Sequence, residues 1–89
     1  MKEGRSMVFM LSGRQCQLSK EEVERTMTGV QPIKGRHYFV NVNGEKYPVI
    51  QVLYLSLRKQ CGGLSLLDVS NIIAKNILSQ IGFEIIEEK

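Results

Sequence analysis

Nucleophilic catalysis needs a nucleophile, a base and an orienting group within hydrogen-bond reach, and this chain is poorly supplied with them. It has one histidine, His37, one aspartate, Asp68, and two cysteines, Cys16 and Cys61. A Cys–His pair would lack its orienting carboxylate, because Asp68 stands where a helix cap is needed. Cys16, His37 and Cys61 have no paired spacing, and they are too few for a structural zinc site, which takes about four ligands. Gly62-Gly63 is not followed by Lys-Ser/Thr, so no phosphate-cradling loop is present. The chain reads as no enzyme, with no catalytic, metal or cofactor residues and no small-molecule substrate.

The cations are the more informative set. Between residues 30 and 63, Lys34, Arg36, Lys46, Arg58 and Lys59 stand against a single acid, Glu45. From residue 64 onward Lys75 and Lys89 face Asp68, Glu84, Glu87 and Glu88, so the overall charge of +3 hides a basic middle and an acidic end. A basic patch attracts phosphates without reading sequence, and Tyr38 or Phe39 could add base stacking. The expectation is a binding module that holds DNA or RNA phosphates through these five cations. The competing expectation is a homodimer or protein-partner module that uses an apolar helix over residues 49–59. A surplus apolar face on such a helix would mark an interface.

Local signals place the elements that carry these residues. Residues 7–11 read as a strand and 14–18 as a connector. Ser19-Lys-Glu-Glu22 is a capping box, with Leu18 and Val23 set for a hydrophobic staple. It opens a short surface helix that runs to about Thr28 and ends at Gly29. His37–Val42, the Asn43-Gly44 turn and a return strand through Tyr47 form a hairpin in which Val42 faces Glu45 and Val40 faces Tyr47. Pro48 stops the ladder and favours a helix start, so residues 49–59 are a buried helix. Val69, Ile72, Ile73, Ile77, Leu78 and Ile81 keep a helical period over residues 68–81, capped by Ser65 or Asp68. Gly82 and Phe83 close that helix before a last strand over residues 83–87.

A helix-turn-helix reading fails, because residues 60–67 are too many for that motif's turn of ~3–4 residues. The expected fold is therefore α+β. It has a small three- to four-stranded, largely antiparallel sheet with three helices, in the order β-α-β-β-α-α-β. Residues 1–6 are expected to be a disordered N-terminus and 7–89 a single domain.

The chain from Thr28-Gly-Val-Gln-Pro32, through Tyr38-Phe-Val-Asn-Val-Asn-Gly44 and Tyr47-Pro-Val-Ile-Gln-Val-Leu53, to Ala74-Lys-Asn-Ile-Leu-Ser-Gln-Ile-Gly-Phe83 resembles a group of short prokaryotic domains. Their pattern is V-x-I-N-G-x-x-Y-P-V-K-Q-V-L, a spacer, then A-x-x-I-L-R-R-L-G-F. Some of them lie beside restriction or DNA-defence proteins. The resemblance covers about two thirds of the chain and implies a fold more than an activity. This chain departs from it at Ile50, where the pattern has Lys, and at Ser79-Gln80, where it has Arg-Arg. Most matching residues have a structural reason as turn, helix start, core or cap. Gln51 has none that the sequence reveals.

Two cysteines without repeated spacing and no apolar run approaching a membrane span of ~20 residues predict a cytoplasmic protein with no membrane partner.

Overall fold

The computed structural model describes residues 6–11, 13–35, 37–58 and 69–88. The order of elements is β1 (Ser6–Leu11), β2 (Arg14–Ser19), α1 (Lys20–Thr26), β3 (Tyr38–Val42), β4 (Glu45–Pro48), α2 (Val49–Leu57), α3 (Asn71–Gln80) and β5 (Ile85–Glu87). This is a small α+β fold with three helices and two antiparallel sheets, a two-stranded β1–β2 ribbon and a three-stranded β4-β3-β5 sheet.

The expected connector over residues 14–18 is instead strand β2, so the order is β-β-α-β-β-α-α-β. Gly13, at φ +78°, takes the turn that brings Arg14 opposite Leu11. Cys16 and Leu18 then face the core while Gln15 and Gln17 face out. With only two apolar residues, that alternation is faint in sequence. Ser6, expected in the disordered terminus, begins β1 opposite Ser19.

The capping box forms as expected. Glu22 N donates to Ser19 Oγ at 3.2 Å, and Ser19 N donates back to Glu22 Oε1 at 3.3 Å. Leu18 and Val23, the staple pair, are both fully buried. Asn43 (φ 56°) and Gly44 (φ 83°) make the tight hairpin turn that needs two positive φ values. The Val42–Glu45 and Val40–Tyr47 pairings follow from it. Asn43 also donates through Nδ2 to Glu24 O at 2.9 Å, which ties the hairpin tip to α1. Pro48 still pairs with Phe39 and serves as the N-cap of α2, one residue earlier than the first-turn position expected of it.

Two expectations for the third helix are corrected. Its cap is Ser70, whose Oγ accepts from Ile73 N at 3.1 Å, so the helix starts three residues late. Ser65 and Asp68, like Arg36, Lys59 and Cys61, lie outside the described residues. The buried arc is Ala74, Ile77, Leu78 and Ile81, leaving Ile72 and Ile73 at 53% and 39% exposure. At 100° per residue, Ile72 falls opposite that arc and Ile73 on its border. The close of α3 matches the expectation: Phe83 N reaches Leu78 O, Gly82 N reaches Ser79 O, and Gly82 sits at φ 111°.

Helix α2 is the hub. It packs on α1, α3, β2, β3 and β4, and it buries Val49, Val52, Leu53 and Leu57 together with Gln51. The inner face of the larger sheet adds Val40, Val42 and Tyr47, and the ribbon adds Leu11, Cys16 and Leu18. On the outer face, Gly35 lies against Pro48 so closely that a Cβ there would stand 2.5 Å from its Cβ and Cγ. Gly35→Ala is therefore expected to push the 31–35 segment off the sheet and destabilise the domain by about 1–3 kcal/mol, read by urea denaturation.

Candidate nucleic-acid interface

Of the five cations singled out by sequence, Lys34, Lys46 and Arg58 are among the described residues, and these three stand at separate places. Lys34 is exposed on the segment that covers Pro48, near the start of α2. Lys46, on the outer face of β4, is already engaged: its ammonium pairs with the Glu88 carboxylate and lies 4.9 Å from the centre of the Phe39 ring. Arg58 caps the other end of α2, nine residues along, about 14 Å at 1.5 Å per residue. The aromatics of β3 are also partly covered, since Lys75 Nζ sits 4.8 Å over the Tyr38 ring.

At the Arg58 end the structure builds a groove between α1 and α2, of about 410 Å³. Its walls are Glu22, Arg25 and Thr26 from α1, Val30 from the segment that follows, and Leu55, Ser56 and Arg58 around the end of α2. Both guanidinium groups belong to exposed residues, and among the described residues neither lies within 4.0 Å of a carboxylate oxygen. Glu22 is the acid on that wall, and its Oε1 is occupied by the Ser19 amide and hydroxyl of the capping box, at 3.3 and 3.4 Å. Ser56 Oγ is buried with no hydrogen-bond partner among the described residues.

What holds the two walls in register is a set of long-range bonds to residues 27–33. Tyr47 Oη donates to Val30 O at 2.8 Å and lies 3.3 Å from Met27 O, so the exit from α1 is pinned to the sheet. Gln51 Nε2 donates to Gln31 O at 2.9 Å, and its Oε1 accepts from Ile33 N at 3.0 Å. This is the structural role of Gln51 that the sequence does not disclose. A buried amide is matched donor to acceptor against a loop backbone that would otherwise lose both bonds.

Arrayed guanidinium groups present planar forks of N–H donors, suited to phosphate or carboxylate oxygens. Sequence reasoning missed Arg25. Its charge is averaged away among Lys20, Glu21, Glu22 and Glu24. The one available signal was spacing, since Arg25 follows Glu22 by three residues and shares its helix face.

The apolar helix of the competing expectation is largely consumed by the core. Ile50 and Leu55, which lie outside its fully buried set, are half-buried and pack on the core as well. Cys16 is a buried thiol on β2, and His37 is exposed just before β3. No described helix is long and apolar enough to cross a membrane. No family model, curated protein or solved structure matches the chain.

Proposed function

We propose that this domain is a non-enzymatic cytoplasmic binding module for nucleic acid, and that its principal phosphate contact is the α1–α2 groove. The observation that carries the reading is the pair Arg25 and Arg58, two exposed guanidinium groups on facing walls with the neighbouring Glu22 carboxylate held in a helix cap. Lys34 extends the positive surface at the other end of α2, and Arg36 and Lys59 add charge in its sequence neighbourhood. Lys46 contributes least, because Glu88 neutralises it. The resemblance to domains beside DNA-defence proteins points the same way.

The test is fluorescence anisotropy with labelled duplex DNA and single-stranded RNA at about 50 and about 200 mM salt. Binding is expected to weaken steeply with salt. Arg25→Ala and Arg58→Ala should each weaken it about tenfold at low salt and flatten the log–log salt slope by about one. Lys46→Ala should change little. Absence of binding at low salt would overturn the reading. Binding that survives both arginine substitutions would remove the groove from it.

A further inference from the structure

We infer that the free edge of β1 pairs antiparallel with β1 of a second copy, making a four-stranded sheet across a two-fold axis. This inference is independent of the nucleic-acid reading. Strand edges invite pairing, and proteins blunt them with charge, proline or cover. The larger sheet follows that rule on both sides: β4 carries Glu45, Lys46 and Pro48, and β5 ends at Glu87 with Glu88 beyond it. Strand β1, Ser-Met-Val-Phe-Met-Leu, carries no charge, no proline and no glycine. Among the described residues it pairs with β2 alone. Two of its three outward side chains are apolar, with Val8 54% and Met10 65% exposed, and the third is Ser6. Opposite Val8 and Met10 on β2 stand Gln17 and Gln15, so the whole outer face of the ribbon is neutral.

The backbone agrees with the side chains. In a two-residue hairpin the pair flanking the turn exchanges its bonds, and the pattern alternates from there. Leu11, Phe9 and Met7 thus bond to β2, while Ser6, Val8 and Met10 aim their N–H and C=O groups outward. A two-fold axis at Phe9 sets Val8 against the partner's Met10, and Met10 against the partner's Val8. Those two pairs exchange about four backbone hydrogen bonds and gather four exposed apolar side chains on one face. Because the strand is uncharged, self-pairing brings no like charges together. A second copy is therefore a matched occupant, and because the two-fold pairing consumes the β1 edge of both copies, that edge is not left for a third. The overlap is short, well below the ~1,200–2,000 Å² of a standard stable interface, so the dimer is weak and concentration-dependent.

Sedimentation equilibrium on the full chain, from low micromolar to millimolar concentration, tests this. A reversible monomer–dimer equilibrium is expected, with amide exchange at Val8 and Met10 slowing as the dimer fills. Val8→Lys and Met10→Lys should each abolish dimerisation. Ile72→Lys, at an equally exposed apolar site on α3, should leave it intact. Circular dichroism should show each variant folded, since the replaced side chains lie outside the core. The inference is overturned by a chain that stays monomeric to millimolar concentration. It is equally overturned by a dimer that survives Val8→Lys and Met10→Lys, by one that Ile72→Lys disrupts equally, or by open-ended assembly.

Discussion

Leu53→Ala is expected to lower the stability of the domain by about 3 kcal/mol, within the ~2–5 kcal/mol range for emptying a buried leucine site. Leu53 is fully buried on α2, the helix that touches both other helices and strands of both sheets. A void there has no single loop to collapse into it, because the helix that carries Leu53 packs on five different elements. A chain of this size has a total stability of about 5–15 kcal/mol, so the loss is a large fraction of it. Thermal unfolding should shift down by roughly 12–24 °C, taking ~4–8 °C per kcal/mol. A shift of a degree or two would mean that α2 is not the centre of the core. Leu53→Met, which keeps the volume, should cost less than ~1.5 kcal/mol.

Tyr47→Ala is expected to cost a comparable ~3–5 kcal/mol, and Tyr47→Phe about 1–3 kcal/mol. The alanine variant loses a buried ring. The phenylalanine variant keeps the ring and strips only the hydroxyl that Val30 O and Met27 O face, leaving the Val30 carbonyl short of its donor. The difference between the two separates packing from the tether. Because Tyr47 pins the segment that carries Val30 into the groove, Tyr47→Phe should also weaken anion binding while leaving Arg25 and Arg58 in place.

The same phenol gives an alkaline signature. Burial, with a smaller push from the Glu45 carboxylate, raises its pKa above 10.0. The folded state thus favours the neutral phenol. Its contribution is fully present below pH 10.0 and is lost as pH rises through the folded value. Chemical denaturation across that window should show the wild type losing stability more steeply than Tyr47→Phe. Parallel curves for the two proteins would contradict the assignment.

How much of this was legible in the sequence depended on distance along the chain. The Ser19–Glu22 capping box, the Asn43-Gly44 turn, the hairpin register, the helix after Pro48 and the Gly82–Phe83 close are each decided within a few residues. Their hydrogen bonds close locally, and the residue types that permit them are few. The sequence by itself therefore determined the α+β class, most element positions and the poverty of catalytic groups. Tertiary structure decided the rest. Strand β2 exists because Cys16 and Leu18 find a core to enter, and two apolar residues are too few to announce that. Gln51 takes its meaning from backbone groups 18 and 20 residues away. Arg25 and Arg58 share a groove because α1 packs on α2, with Tyr47 and Gln51 holding the segment after α1 in place. Lys46, prominent in sequence, is neutralised by Glu88 from 42 positions away. Burial and charge pairing act through space, and only the folded chain specifies which distant residues meet.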